Sequence, residues 1–414
     1  MSISFLLALS TALHLYIGAR IVPALPMLAG ALAALLLLVS AVLAPTGLLA
    51  RRLARPPRAD TLAWIGLPFL GLFSSLFVLT LLRDGLLLML WLVSLLVPGH
   101  LSLPDAARAT AEAVPALGLA VTLLGFVNAR RRARVVTVHI PLTGLPAALH
   151  GFTIVQISDI HVGPTIRERY VEAIVEAVNH LKPDLVAITG DLVDGGVPEL
   201  AGQVAPLRRL KSRHGSFFVT GNHEYYSGVG PWLAELPRLG IRVLHNEHVV
   251  IEHAGARLVL AGVPDLSGAH FDRAHRSDPQ AALVGAPADA AVKVLLAHQP
   301  RSAPAAAQAG FDLQLSGHTH GGQFLPWNFF VRFQQPFTAG LHRLGGLWVY
   351  VSRGTGYWGP PKRFGAPSEI TRLRLVTAES ASAAAVDPAF EPSIDRTPRD
   401  LAGPTSTRGV VRRG

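Results

Sequence analysis

The sequence predicts an α/β domain carried behind a membrane-spanning helical region, and three observations predict it. The 414-residue chain is 50% hydrophobic and only 15% charged, with mean hydropathy +0.38, too apolar for an ordinary soluble protein of this length. The apolar excess is gathered within residues 1–130. From 134 to 376 the chain instead alternates short β-branched runs with turns and amphipathic stretches, the texture of strands joined by helical crossovers.

Segments free of Asp, Glu, Lys and Arg run over 2–19, 21–50, 61–82, 85–104 and 114–129. Each can cross roughly 30 Å of hydrocarbon at about 20 residues per span, the last being near the lower limit. About five transmembrane helices are therefore expected in 1–130. The first segment lacks a basic start and runs at once into more apolar sequence, which argues against a cleaved signal. Arg51, Arg52, Arg55 and Arg58 follow the second segment, and Arg130, Arg131, Arg132 and Arg134 the fifth. Positive residues favour the cytoplasmic side, yet three intervening spans would separate the two clusters. Four spans give a cytoplasmic C-terminal domain and five an external one. Segment 85–104, interrupted by Gly99, His100 and Pro104, is the candidate that fails to cross. His14 is expected to snorkel to the membrane end or bond a neighbouring helix rather than act as an intramembrane functional group. Residues 134–376 suffice for one well-buried domain, and 377–414, rich in Ala, Ser, Pro and Asp, read as a disordered tail.

Within the domain, chemistry collects where strands end. The run 152–158 (FTIVQIS) leads into Asp159-Ile160-His161, where a period of two puts carboxylate and imidazole on one side of the chain. An amphipathic helix over 168–181 and a strand over 184–189 follow, ending in Gly190-Asp191. Strand 217–220 leads to Gly221-Asn222-His223-Glu224, strand 292–297 to His298, and strand 312–316 to Gly317-His318-Thr319-His320-Gly321-Gly322-Gln323. Taken singly, a strand-end Asp is a turn or helix cap and a Gly-Asn pair is a turn. Five successive strand ends that all deliver ligand types make coincidence the poorer account. The set Asp159, His161, Asp191, Asn222, His298, His318 and His320 suits divalent ions bound through nitrogen and oxygen. Four imidazoles among seven favour Mn, Fe or Zn over Mg or Ca. The chain has no cysteine, which excludes disulfides, thiolate zinc sites, iron-sulfur clusters and cysteine nucleophiles.

In order and spacing these motifs resemble the calcineurin-like metallophosphoesterases. The GHTHGGQ form, with the downstream VSRGTGYWGPPKRFGAPSEI, is similar to the membrane-anchored bacterial branch; one departure is Ser368, where that branch has proline. The resemblance spans 152–376. It implies a four-layer αββα sandwich of two mixed β-sheets behind the transmembrane region. It also implies two divalent metal ions, one held by Asp159, His161, Asp191 and His320, the other by Asp191, Asn222, His298 and His318. Asp191 would bridge them, and a water held between the ions would attack phosphorus in line. His223 is then the expected proton donor to the leaving group. Asp194 and Glu224 are read equally as ligand-orienting or solvent-facing, and Arg353, Lys362 and Arg363 as surface charge ahead of contacts to substrate phosphate or lipid heads.

The expected function is hydrolysis of a phosphodiester or diphosphate on a nucleotide or lipid-linked substrate, at the bacterial cytoplasmic membrane. A phosphomonoesterase is the alternative within the enzyme class, and a membrane receptor with a metal-binding domain the alternative outside it. Formal charge is +10 and pI about 10.6, but eight arginines flank apolar segments, where membrane lipids or topology explain them. Nucleic acid is not the expected partner, because aromatic and basic residues do not interleave.

Overall fold

The structure is a computed structural model and describes residues 3–55 and 57–379. Most of the expected tail, 380–414, lies outside the described residues.

Among the described residues four helices are long and apolar enough to cross a membrane: α1 (Ile3–Ile21), α2 (Met27–Leu53), α3 (Arg58–Leu96) and α4 (Leu103–Arg130). The five expected spans therefore become four. Segments 61–82 and 85–104 were separated in sequence only by Arg83-Asp84, and helix α3 runs straight through that pair. Neighbours satisfy it: Asp84 accepts from the Tyr16 hydroxyl at 2.7 Å and Arg20 Nε at 2.8 Å, and Arg83 donates to the Ala107 carbonyl at 3.1 Å. With its charges matched across helices and no proline between 69 and 97, the helix has no reason to break. The turn comes instead at 97–102, where Ser102 caps α4 and Pro104 occupies its first turn. His14 bonds its own helix at the Ser10 carbonyl (2.8 Å) and the Ser40 hydroxyl of α2 (2.9 Å), and stacks on Phe73, the structural role expected of it.

Behind the bundle, twelve strands form two six-stranded mixed sheets. In chain order they are β1 (Arg134–Leu142), β2 (Thr153–Ile157), β3 (Leu185–Ile188), β4 (Ser216–Phe218), β5 (Ile241–Val243), β6 (Glu247–His253), β7 (Ala256–Gly262), β8 (Val292–Leu296), β9 (Leu313–Ser316), β10 (Gly340–Leu344), β11 (Leu347–Val351) and β12 (Glu369–Thr377). The first sheet has the order β1-β12-β2-β3-β4-β5 and the second β10-β11-β9-β8-β7-β6. Strands β2, β3 and β4 are mutually parallel, as are β7, β8, β9 and β11.

Alternation along the strands makes the layers. Ile154, Leu185, Leu260, Val294, Leu315 and Leu373 meet between the two sheets. Val155, Ile157, Val186 and Ile188 turn the other way and receive helix α5 (Glu168–His180) through Val171, Ile174, Val175 and Val178, spaced i, i+3, i+4, i+7. On the far side, Leu295, Val349 and Val351 pack on Ala303, Ala306 and Phe311. The result is the four-layer αββα sandwich. Its parallel strands end on one edge, where such sheets place their sites.

Candidate metal centre

All seven expected ligands lie together on that edge. β2 delivers Asp159 and His161, β3 delivers Asp191, and β4 leads to Asn222 at the start of the short helix 222–226. From the second sheet, β8 delivers His298, and β9 delivers His318 and His320. Ligand atoms of Asp159, His161 and His320 lie within 4.8 Å of one another, and those of Asp191, His298 and His318 do likewise. Asp191 Oδ2 stands 3.2 Å from His298 Nε2 and 3.8 Å from His161 Nε2, so one carboxylate faces both groups.

The backbone is held in an uncommon shape to achieve this. Among the described residues nine non-glycine positions have positive φ, and five of them are Asp159, His161, Asp191, His318 and His320. Such conformations cost on the order of 1–3 kcal/mol each and persist where the surroundings over-determine them. Gly317 shows how tight the surroundings are: a Cβ there would lie 2.0 Å from Ser158 Oγ and 2.1 Å from Asp159 Oδ2.

The donor set fits cations better than it fits itself. Ring nitrogens converge: His161 Nε2 is 3.0 Å from His320 Nε2, and His298 Nε2 is 3.2 Å from His318 Nδ1. The opposite nitrogens are committed, since His298 Nδ1 donates to the Thr189 carbonyl at 2.7 Å and His161 Nδ1 donates to Asp194 Oδ1 at 3.0 Å. That turns the Nε2 of each ring toward the other candidate ligands, the orientation that metal-binding imidazoles require. Asn222 Oδ1 is buried without any hydrogen-bond partner, an orphan that a cation would satisfy.

Two carboxylates left undecided by the sequence have definite work. Asp194 Oδ1 accepts from both His161 and, at 2.6 Å, His223. Burial pushes its carboxyl up, but the two imidazoles outweigh burial and hold it well below the usual carboxylate range. Glu224 accepts from the backbone N–H of Gly221 (2.6 Å), Leu192 (2.7 Å) and Asp191 (3.0 Å), tying the second motif to the third. The available signal for Asp194 was its place three residues after Asp191 on a glycine-rich turn. Burial alone would lower the His223 pKa, but the carboxylates of Asp191 and Asp194 overcome it and raise His223 to about 9. His318, by contrast, is lowered to about 4 by burial and then by the facing His298.

Lys362 and Arg363 are not surface residues. They are 2% and 1% exposed. Lys362 Nζ donates to the Gly71 carbonyl at 3.0 Å and to the Ser75 hydroxyl, both on α3, while Arg363 donates to the carbonyls of His320 (2.9 Å) and Arg353 (2.8 Å). Arg353 pairs with Glu369 at 2.8 Å.

Comparison with known proteins agrees with this geometry. Residues 152–322 match the calcineurin-like phosphoesterase family. An "Uncharacterized metallophosphoesterase" of Aquifex aeolicus is 37% identical over 224 residues, which cover 54% of this chain and 84% of that protein. The chain belongs to the calcineurin-like phosphoesterase family. A "Transmembrane protein with metallophosphoesterase domain" of Bos taurus is 43% identical over 280 residues, 64% of this chain and 63% of its own length. An "Uncharacterized metallophosphoesterase" of Helicobacter pylori is 41% identical over 233 residues, 55% of this chain and 60% of that protein. The chain thus spans about three fifths of the length of these two curated relatives. The animal relative overturns the expected restriction to a bacterial branch.

In this phosphoesterase domain His161 of the candidate metal centre, with Asp194 and His223 beside it, lines a cavity of about 450 Å³. One wall is His161, Asp194, His223, Tyr226, Tyr357 and Trp358; the other is Gly47, Leu48, Ala50 and Arg51 of α2 with Ala63 and Leu67 of α3. Arg51 pairs with Glu199 at the same place, and Arg130, at the end of α4, donates to the Thr165 carbonyl at 2.7 Å. Their place beside apolar segments pointed to membrane lipids or topology, and partners 148 and 35 positions away leave no local signal.

Proposed function

We propose that this protein is a membrane-embedded, metal-dependent phosphoesterase with two divalent ions, acting on a phosphodiester or diphosphate of a lipid-linked substrate. The observation that carries the reading is the cavity: metal-site side chains form one wall and apolar membrane helices the other. A water-soluble ester has no need of a wall made by Leu48 and Leu67, whereas a lipid held by its chains along α2 and α3 would present its phosphate to the centre. Asp159, His161, Asp191 and His320 are the ligands of one ion, and Asp191, Asn222, His298 and His318 those of the other. When bound, two divalent ions bring the pKa of water near neutrality and neutralise phosphoryl oxygens. Mn, Fe or Zn suits the imidazole-rich set.

His223 is the proton donor. Its Nδ1 is held by Asp194 at 2.6 Å, it is partly exposed to the cavity, and against burial the carboxylates of Asp191 and Asp194 raise its pKa to about 9, the direction a proton donor needs. Asp194 orients it together with His161. Four helices also remove the topological conflict, because Arg51 and Arg130 then lie at the same end of the bundle, against the domain. The positive-inside trend makes that end cytoplasmic.

The test uses the full chain in lipid nanodiscs with Mn²⁺. Turnover of a lipid phosphodiester in the disc should exceed, by roughly tenfold or more in kcat/KM, turnover of the same headgroup ester on a short water-soluble chain. His223→Ala should cost about 10²-fold on the lipid ester, whose leaving group needs a proton, and far less on bis-p-nitrophenyl phosphate. Equal kcat/KM for lipid and soluble esters would contradict the lipid-linked substrate. Equal losses on both leaving groups would remove the acid role.

A further inference from the structure

Immediately after the turn that carries His320, the chain turns large apolar side chains outward. Leu325, Trp327, Phe329, Phe330 and Phe333 are exposed within 325–333, Phe329 by 56%, Phe330 by 53% and Phe333 by 75%. Val250 and Val284, exposed elsewhere on the domain, stand singly. A contiguous apolar group of this kind marks an interaction surface, while scattered residues do not.

The surroundings identify the partner. Trp327 Nε1 donates to the Ser74 hydroxyl at 3.0 Å, and Lys362, which spans Gly71 and Ser75, lies 4.8 Å from the Phe324 ring. Ser74, Gly71 and Ser75 belong to the uncharged stretch 61–82 of α3, within the part of the helix fit to lie in hydrocarbon. The aromatic group thus lies beside the part of α3 that is apolar enough to span a membrane, joined to it through Trp327. Its composition, aromatic rings with Arg332 over the Phe333 ring at 5.6 Å, is that of segments seated at the headgroup boundary. Its backbone is equipped for the same place. Phe329 N–H donates to the Pro326 carbonyl, Phe330 and Val331 to Trp327, Phe333 to Phe330, and Gln334 to Val331, so these groups do not need water.

We propose that 325–333 is a wedge by which the soluble domain inserts into the bilayer, its partner being the interfacial and upper acyl region of the lipid. The short helix Asn328–Val331 sits directly on the turn that carries His320: a Cβ on Gly322 would lie 2.2 Å from Asn328 Cα. Depth of insertion therefore fixes the height of His320, and with it the metal centre, above the membrane. The proposal stands on the surface alone and does not require the lipid-linked substrate.

The absence of cysteine makes a direct test available. Phe330→Cys and, separately, Val284→Cys would each be labelled with an environment-sensitive NBD probe in the full chain, reconstituted in phosphatidylcholine and phosphatidylglycerol vesicles. Lipids carrying a nitroxide near the headgroup end of the acyl chain should quench the probe at 330 roughly threefold more than the probe at 284, with a blue-shifted emission. Phe333→Cys serves as a second position should the first variant fold poorly. Equal quenching at 330, 333 and 284 would overturn the proposal. So would shielding of 330 that grows with protein density and is insensitive to the nitroxide, because the occupant would then be a second copy of the chain.

Discussion

Asp191→Ala is expected to lower metal-dependent turnover by about 10³-fold or more, the largest loss of any single substitution, because this carboxylate faces both ligand groups. Its Oδ2 lies near His298, His161 and His223, at 3.2, 3.8 and 3.9 Å, and its Oδ1 accepts the His223 backbone N–H at 2.8 Å. Removing it strands His298. Burial alone would lower that imidazole's pKa, but Asp191 overcomes burial and raises it well above its ordinary value. The variant should retain at most one metal equivalent by mass spectrometry while keeping its helical circular dichroism. Asp191→Asn, which retains a single carbonyl oxygen, should fall between the alanine variant and the parent protein.

Gly317→Ala should be nearly as damaging, although glycine contributes no ligand atom. The added methyl would have to occupy space 2.0 Å from Ser158 Oγ and 2.1 Å from Asp159 Oδ2, both fully buried. Relief requires moving β2 away from β9, and the His318 N–H that bonds Asp159 at 2.9 Å would move too. Overpacking of this kind costs about 1–3 kcal/mol or more. A misplacement on the order of 1 Å costs turnover about 10²-fold. Gly346→Ala is the matched control, since nothing lies within 4 Å of its added methyl. Melting temperature and turnover measured on both variants separate a local clash from a general intolerance of alanine for glycine.

These two residues also show what was legible in sequence. Asp191 could be found because a buried β-branched run ending in Gly-Asp is a local pattern, and the same holds for Asp159, His161, Asn222, His298, His318 and His320. Their left-handed backbone was not legible, because nothing in an Asp-x-His spacing announces φ near +50°; packing of one strand end on another imposes it. The orienting role of Asp194 depends on two histidines arriving from different strand ends, one 33 positions back and one 29 ahead. Arg83-Asp84 looked like a break between spans because its partners, Tyr16, Arg20 and Ala107, lie on other helices. Lys362 looked like surface charge for the same reason: its acceptor Gly71 stands 291 positions away. Local periodicity reveals what a segment can do alone, and long-range partners decide what a charge does there.

The central claim, a metal-dependent phosphoesterase built on two ions, is tested most directly by a metal titration of the full-length protein in nanodiscs. Chelator-stripped protein would be supplied with graded Mn²⁺ while hydrolysis of bis-p-nitrophenyl phosphate and bound metal per chain are followed together. The account predicts no turnover without metal, little at one equivalent, and a rise to saturation at two, with Asp191→Ala inactive throughout. Turnover by the stripped protein, or full turnover at one equivalent, would contradict it.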